Sequence, residues 1–166
     1  MAAALFVGRF QPFHNGHLRA VKEILGKEDS VVIAIGSAQQ ADTKENPFSV
    51  EERRVMIMRA LQEAGVEKCR VTSIPDYYND MKWAGALKKR CRFDVAYTRN
   101  AWTERALEKA GVKVRHHRIY DQHELSGSII RNRIVHGKAW KHLVPPAVAD
   151  FIECYYGLQR IRKLCK

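Results

Sequence analysis

The chain has 166 residues, of which 46% are hydrophobic and 28% charged, so it fits one globular domain, and wholesale disorder is excluded. Its 29 lysines and arginines against 18 aspartates and glutamates give a net charge of +11, which favours nucleic acid, an anionic membrane surface or phosphorylated small molecules as partners. No apolar run reaches the roughly 20 residues of a membrane span, and the first residues lack a signal-peptide pattern.

Short apolar runs alternate with amphipathic segments along most of the chain. The predicted strands are residues 4–8, 31–36, 69–74, 93–98 and 112–118. The predicted helices are residues 17–25, 49–65, 80–90, 101–110, 129–135 and a segment from 145 onward. Ser49 and Glu52 form a capping-box pattern at the start of the second helix.

This alternation predicts a Rossmann-like, doubly wound α/β fold with about five parallel strands and C-terminal helices. We expect a single domain over residues 1–166, with an α/β core at 1–125 and a helical part at 126–166. Ligands of such sheets bind beyond the carboxyl ends of the strands. The ligand site is therefore expected in the loops at residues 8–16, 36–47, 75–83, 98–102 and 120–128.

The four cysteines are scattered through the chain. Cys69, Cys91, Cys154 and Cys165 include no C-x-x-C pair, so the pattern indicates neither a zinc ribbon nor a redox motif. We expect reduced thiols in a soluble, cytoplasmic protein.

The first loop has the composition of a phosphate-binding site. Residues 8–17 read GRFQPFHNGH, which is neither a dinucleotide fingerprint nor a Walker A motif. His14 and His17 share a face at a helix start, where backbone N–H groups attract anions. Gly16 would let a phosphate approach closely, and Arg9 offers a planar fork of donors. The alternatives are that the histidines bind a metal or are ordinary helix-start residues.

A second phosphate-binding pattern lies far downstream, where residues 126–133 read SGSIIRNR. Ser126 is a candidate N-cap, and the neighbouring N–H groups and hydroxyls can bind phosphate. Arg131 would neutralise its charge. An ordinary capped surface helix is the alternative for this segment taken alone.

Both patterns carry a family resemblance. The GRFQPFHxGH stretch is the extended form of the (H/T)-x-G-H signature of adenylyl- and cytidylyltransferases, and in this form it resembles archaeal-type nicotinamide mononucleotide (NMN) adenylyltransferases. The second pattern resembles the S-x-T-x-x-R-R-R segment of that family. The resemblance continues through residues 35–39 (IGSAQ), 46–53, 74–83 and 97–100 (YTRN), and into the helical tail around Trp140 and Gly157.

The resemblance implies Mg2+-dependent transfer of AMP from ATP to NMN, which yields NAD+ and pyrophosphate. The implied catalytic residues are Arg9, His14, His17 and Arg131. Those implied to bind ATP are Gly8, Arg9, Phe10, His14, Gly16, His17, Asn100, Ser126, Gly127, Ser128 and Arg131. Those implied to bind NMN are Gly36, Ser37, Asp80 and Trp83, with the Trp83 indole stacked on the pyridinium ring. No protein metal site is expected, because the phosphates would hold Mg2+. The family commonly forms symmetric oligomers, so a homo-oligomer is expected, without nucleic acid or membrane partners.

Several positions depart from the family pattern. Glu45, next to Lys44, stands where the family has a basic residue, and Asp80 stands where an asparagine contacts the nicotinamide carboxamide. An aspartate accepts from an amide but repels a carboxylate, so we expect preference for the amide form of the mononucleotide over the acid. Lys82 replaces an apolar residue and Ile129 an acidic one.

Two other functions remain open at this level. The same chemistry on another phosphorylated acceptor, such as phosphopantetheine or flavin mononucleotide, is compatible with the phosphate-binding patterns. A nucleic-acid-binding module is suggested by the basic clusters at residues 88–90, 115–118 and from 160 onward. No RNA-binding aromatic signature or C2H2 pattern accompanies those clusters, which favours the enzyme.

Overall fold

The computed structural model of the protein describes residues 2–121, 123 and 125–165. The strands and α-helices of this part of the chain are β1 (Ala3–Gly8), α1 (Asn15–Leu25), β2 (Ser30–Ile35), α2 (Val50–Glu63), β3 (Cys69–Ser73), α3 (Asp80–Arg90), β4 (Val95–Tyr97), α4 (Ala101–Lys109), β5 (Lys113–Arg115), α5 (Gly127–Val135), α6 (Pro146–Cys154) and α7 (Gly157–Leu164). A 3-10 helix, Lys141–Leu143, precedes α6. Among these helices, none is both long and apolar enough to cross a lipid bilayer.

The strands form one parallel sheet in the order β3-β2-β1-β4-β5. Leu5 of the central strand β1 lies beside Val32 of β2 and Ala96 of β4, and all three are buried. A parallel strand covered on both faces buries nearly every side chain, which explains the continuous apolar runs. β1 is the central strand. β2 and then β3 lie on one side of it, and β4 and then β5 lie on the other. The predicted fold class is confirmed, and the reversal beside β1 marks the edge where such sheets bind ligands.

The described chain forms two compact units, each made of three segments. The first unit contains the sheet with α3 and α4, and its core includes Leu5, Trp83 and Leu107. In the second unit α6 packs against α2 and α7, and α7 also packs against α5. The first comprises Met1–Gly8, Ala20–Ala38 and Lys68–Arg118, and the second Arg9–Arg19, Gln39–Glu67 and Ile119–Lys166. The single domain divided at residue 125 stays a prediction.

Side-chain caps determine where several helices begin. Ser49 and Glu52 form both bonds of the predicted capping box at the start of α2. Asn79, Asn100 and Ser126 each accept a hydrogen bond from a backbone N–H in the first turn of α3, α4 and α5. Because Ser126 is the cap, α5 begins two residues earlier than the apolar pattern predicts.

The last two strands and the last helix differ from the predicted elements. β4 and β5 have three residues each, shorter than the predicted 93–98 and 112–118, because their pairing with β1 and β4 is limited to three residues. The helix predicted from residue 145 onward is two helices, α6 and α7, separated at Tyr156, which has φ of 58°. A Cβ on Gly157 would lie 2.8 Å from the Ile152 carbonyl oxygen, so glycine permits the close contact that follows the break.

Candidate active site

Two histidine rings lie stacked near the start of α1. The ring centroids of His14 and His17 are 3.5 Å apart, with 22° between the planes. The His14 backbone N–H donates to His17 Nδ1 at 3.2 Å, so neutral His17 carries its proton on Nε2. Phe10 and Phe13 pack against the His17 ring at centroid distances of 4.8 and 5.5 Å. The backbone therefore makes Nε2 the hydrogen-bond donor of His17.

His14 is the buried member of the pair. Burial lowers the pKa of His14 from 6.5 to about 4, so its imidazole is neutral at pH 7. A Cβ on Gly16 would lie 3.1 Å from the His14 ring, so the missing side chain makes room for the histidine. His14 Nδ1 is buried without a hydrogen-bond partner among the described residues. Since buried polar atoms are seldom left unpaired, a bound ligand is a natural partner for this nitrogen.

The second predicted motif meets the first one directly. Ser126 Oγ accepts from the Ile129 N–H and lies 3.0 Å from Ser128 Oγ, which places two hydroxyls at the start of α5. Arg131 Nη1 donates to the Gln11 carbonyl oxygen at 2.7 Å. A Cβ on Gly127 would lie 2.7 Å from the same oxygen, so only glycine allows this approach. Tertiary folding thus brings two segments more than a hundred residues apart to one place.

Arg53 holds the first motif from inside the unit. Its side chain is completely buried, and its guanidinium donates to the carbonyl oxygens of Ser49, Arg9 and Gln40 at 3.2, 3.0 and 3.3 Å. Arg9 itself is exposed, so its side chain reaches solvent while its backbone is anchored. The planar fork of arginine suits three fixed carbonyls.

A buried glutamine provides a second anchor for the first motif. Gln11 Nε2 donates to the Phe48 carbonyl oxygen at 2.9 Å, and Gln11 Oε1 accepts from the Phe48 N–H at 3.0 Å. Gln11 therefore pairs with backbone as a neighbouring strand would, and it joins the 8–17 motif to the segment that leads into α2.

Arg53 lies in the 46–53 segment that resembles the family, but the sequence analysis gave this residue no role. A signal for its role exists in the sequence: Arg53 falls on the same helical face as Met56, Ile57 and Ala60, which are all fully buried. An arginine at i, followed by apolar residues at i+3, i+4 and i+7, indicates a buried cation that must find acceptors.

Arg131 lies in a mixed electrostatic environment. Burial lowers the pKa of its guanidinium, Arg9 acts in the same direction, and Cys165 and Glu45 oppose them. The guanidinium remains charged at any ordinary pH. Glu45, which departs from the family pattern, therefore interacts electrostatically with a predicted phosphate-binding arginine. Lys44 is held through its carbonyl oxygen, which accepts from Cys165 Sγ at 3.6 Å.

The residues predicted to bind NMN lie in the first unit. Gly36 and Ser37 follow β2, and Asp80 and Trp83 follow β3. The Gly36 N–H donates to the Gly8 carbonyl oxygen at 2.9 Å, which joins the ends of β2 and β1. Ser37 Oγ donates to Asp76 Oδ1 at 2.9 Å, and Asp80 Oδ2 pairs with Lys109 Nζ at 3.1 Å.

Trp83 and Asn100 have structural partners in the same unit. Trp83 is 3% exposed and belongs to the hydrophobic core, where its ring meets the edge of Trp102. Asn100 Oδ1 accepts from the N–H and the hydroxyl of Thr103, so the side chain predicted to face ATP also caps α4.

No group of three or more histidine, cysteine, aspartate or glutamate side chains in the described part of the chain could hold a metal ion. All four cysteines, each within that part, are free. The polar groups at the candidate site are instead imidazoles, guanidinium groups, hydroxyls and helix N–H groups. This donor set suits phosphate oxygens better than a bare cation.

A family model described as cytidylyltransferase-like matches residues 5–133. The chain belongs to the cytidylyltransferase-like family. A nicotinamide-nucleotide adenylyltransferase of Thermococcus onnurineus is 41% identical over 162 residues, covering 96% of this chain and 87% of the relative. Another of that name from Archaeoglobus fulgidus is 40% identical over 168 residues, covering 97% and 96%. The predicted resemblance to archaeal-type NMN adenylyltransferases is confirmed.

A solved structure shares the fold of this family member. It is a bifunctional NMN adenylyltransferase/ADP ribose pyrophosphatase of Francisella tularensis, complexed with AMP and a manganese ion. The TM-score is 0.83 at 25% identity, over 99% of this chain and 52% of that one. This chain therefore spans about half the length of the bifunctional protein.

Proposed function

We propose that this chain transfers AMP from ATP to NMN and releases NAD+ and pyrophosphate. A phosphate oxygen of NMN attacks the α-phosphorus of ATP, a new P–O bond forms, and the bond to the β-phosphate bridging oxygen breaks as pyrophosphate leaves. The nucleophile is already anionic, so neither a serine nor a strong base is required. The protein must hold the phosphates in line and stabilise the charge that moves onto pyrophosphate.

One observation carries the proposal: both predicted phosphate-binding motifs meet at Gln11. Gly127 and Arg131 lie against its carbonyl oxygen, so the start of α5 and the His14–His17 loop present their donors together. The 8–17 and 126–133 segments are far apart in the sequence, and Gly127 and Arg131 bring them into contact. Archaeal relatives named for the same activity support the reaction and the acceptor.

The residues of the second unit have distinct proposed roles toward ATP. His17 donates from Nε2 to a phosphate oxygen, and its tautomer is set by the His14 N–H. Neutral His14 completes the hydrogen bonding of its buried Nδ1 with the ligand. Arg9 and Arg131 supply positive charge, and the Ser126 and Ser128 hydroxyls supply hydrogen bonds at the start of α5.

The first unit is proposed to bind NMN. The residues that make the contacts are Gly36, Ser37, Asp80 and Trp83. The Asp80 carboxylate would accept from the carboxamide of the nicotinamide ring and repel a ring carboxylate. Preference for the amide mononucleotide over the acid is therefore part of the proposal.

Mg2+ is the proposed metal. The described side chains fit an ion that is held mainly through phosphate oxygens, because the site offers cationic and neutral donors rather than a carboxylate cage. When bound, Mg2+ neutralises charge on the triphosphate and the departing pyrophosphate. We also propose that this activity is cytoplasmic and that the enzyme is a homo-oligomer, as the family resemblance implies, with ATP, NMN and NAD+ as its ligands and no nucleic-acid or membrane partner.

Chromatographic product analysis tests the reaction. Purified protein is incubated with ATP, Mg2+ and NMN, and NAD+ should form in equal amount to pyrophosphate. His17→Ala should lower kcat by about 100-fold, the usual effect of losing one donor to a developing charge. His136→Ala is the matched control, because His136 lies at the opposite end of α5 from the candidate site.

Each outcome of this experiment bears on the proposal. NAD+ formation with a His17→Ala loss below threefold would remove His17 from the mechanism. If folded wild-type protein yields no NAD+ but joins AMP to phosphopantetheine or flavin mononucleotide, the acceptor is wrong. If it transfers AMP to none of the three, the whole assignment is wrong.

A further inference from the structure

The last helix, α7, contacts the segment that leads into α2. Arg160 of α7 donates through Nη1 to Glu52 Oε2 at 2.6 Å and to the Pro47 carbonyl oxygen at 3.3 Å. Its guanidinium also lies over the Phe48 ring, 5.9 Å from the centroid, and its Nε is 3.9 Å from Asp42 Oδ1. One arginine of the last helix therefore binds an acid, a carbonyl oxygen and an aromatic face of this segment.

The ion pair between Arg160 and Glu52 is partly shielded from water. The two side chains are 28% and 22% exposed, so solvent screens them less than it screens a pair on the open surface. The hydrogen bond to Glu52 raises the pKa of Arg160. Glu52 Oε2 also accepts from the Ser49 N–H at 2.9 Å, which is one of the two bonds of the capping box. Arg160 therefore holds the side chain that fixes the start of α2.

The residues that Arg160 contacts are joined to the first phosphate-binding motif. The Phe48 backbone makes two hydrogen bonds with the side chain of Gln11, one as donor and one as acceptor. The Gln11 carbonyl oxygen accepts from Arg131 Nη1 at 2.7 Å and lies against Gly127. A displacement of Phe48 therefore moves the point at which the two phosphate-binding motifs meet.

The end of α7 makes a second contact with this region. Cys165, the C-cap of α7, donates through Sγ to the Lys44 carbonyl oxygen at 3.6 Å, and its side chain also interacts with Arg131. The last helix is therefore connected to the second motif through Cys165, and to the first motif through Phe48 and Gln11.

We propose that Arg160 is a positioning residue for ATP, which holds the 47–52 segment so that Gln11 keeps the two phosphate-binding motifs at the correct spacing. This inference rests on the proposed function, because it names a residue that sets the geometry of the ATP site. Groups that bind a substrate lose much of their effect when they are displaced by a fraction of a bond length to about 1 Å. The contacts of Arg160 all lie in the second unit, which holds the proposed phosphate contacts of ATP, whereas the residues proposed for NMN lie in the first unit.

Steady-state kinetics with each substrate test the positioning role. Arg160→Met keeps most of the side-chain length, and it should raise the KM for ATP by about tenfold while the KM for NMN stays unchanged. Arg160→Lys keeps a cation for Glu52 but loses the planar fork, so its KM for ATP should lie between those of wild type and Arg160→Met.

A double-mutant cycle tests whether the effect passes through Glu52. Glu52→Gln removes the charge and keeps an oxygen for the capping box, so it should also raise the KM for ATP. Combined with Arg160→Met it should add little, because both changes break the same ion pair. Additive effects of the two substitutions would contradict a route through Glu52.

Two variants of the same helix serve as controls. Arg162→Met removes an equal charge, and Arg162 is exposed and donates to the Ile134 carbonyl oxygen at 3.4 Å, near the C-terminal end of α5. Ile161→Val weakens the packing of α7, because Ile161 is fully buried, and it should lower the melting temperature. Neither variant should change the KM for ATP. If Arg160→Met raises both KM values equally, or raises the KM for ATP no more than these controls, the positioning role is wrong.

Calorimetric titration with ATP and Mg2+ in the absence of NMN separates this inference from the proposed reaction. Weaker ATP binding to folded Arg160→Met, with unchanged binding to Arg162→Met, supports the positioning role even if wild type forms no NAD+, an outcome that would reject only the reaction. Formation of NAD+ with unchanged ATP binding in Arg160→Met rejects the positioning role and leaves the reaction intact. Wild-type protein that binds no ATP overturns both.

Discussion

Replacement of Arg53 tests whether its buried guanidinium fixes the backbone of the 8–17 motif. Replacing it with methionine keeps most of the side-chain length and removes the guanidinium that donates to the carbonyl oxygens of Ser49, Arg9 and Gln40. Because Arg53 is completely buried, water cannot readily take over these three contacts. The variant therefore removes the donor from the carbonyl oxygens of Arg9 and Gln40 and releases the backbone of Arg9, whereas the Ser49 oxygen keeps the backbone N–H of residue 53 as a donor at 3.0 Å.

The size of the effect follows from the two carbonyl oxygens that lose their donor, those of Arg9 and Gln40. Each acceptor left unpaired costs about 1 kcal/mol at the lower end of the usual range, so the free energy of unfolding should fall by about 2 kcal/mol. With a urea dependence of about 2 kcal/mol/M for a domain of this size, the denaturation midpoint should fall by about 1 M. Since the Arg9 anchor is lost as well, kcat/KM for ATP should drop by at least about tenfold.

Urea denaturation followed by tryptophan fluorescence, together with ATP kinetics, measures both effects. Arg59→Met is the matched control on the same helix, because Arg59 is exposed and lies over Phe151 and Tyr155 at 5.8 Å. An exposed contact of this kind contributes less than about 1 kcal/mol. If Arg53→Met shifts the midpoint no more than Arg59→Met and keeps full activity, the buried guanidinium does not hold the motif.

Two further predictions concern the same unit. Because the pKa of His14 falls from 6.5 to about 4 on folding, the unfolded chain binds more protons in that interval, and the free energy of unfolding should decrease by about 3 kcal/mol as the pH is lowered through it. Denaturation of His14→Gln should lack this contribution, and identical pH profiles for wild type and variant would contradict it. Gly127→Ala places a methyl group 2.7 Å from the Gln11 carbonyl oxygen, which should cost about 1–3 kcal/mol and raise the KM for ATP. Gly85→Ala, where a Cβ meets nothing within 4 Å, should gain up to about 1 kcal/mol, and equal melting temperatures for the two variants would refute the clash.

The fold class was accessible from local patterns. The runs around Leu5 and Val32 are apolar because a central parallel strand is covered on both faces, and the capping box at Ser49 requires only residues three positions apart. The ends of the strands were harder to predict from the sequence. β4 ends at Tyr97 because its pairing with β1 ends there, and β1 lies far from β4 along the chain.

The candidate site was predictable as a set of motifs. The 8–17 and 126–133 segments were recognisable because phosphate chemistry requires glycines, hydroxyls and cations at short spacing. Their mutual contact was not predictable in detail, since Gly127 and Gln11 are far apart along the chain. The same holds for Trp102, whose neighbour Trp83 lies on another helix.

Residue types and short spacings were thus enough for the parallel sheet, the helix starts and the two phosphate-binding motifs, because each depends on interactions within a few positions. The burial and neutral state of His14, the carbonyl contacts of Arg53 and the burial of Trp83 came from the folded arrangement. These properties depend on which distant segments exclude water from a side chain and which polar atoms they bring to it. The apolar face of α2 is a local signal that Arg53 is buried, but the carbonyl oxygens that it contacts are brought to it by the assembled chain.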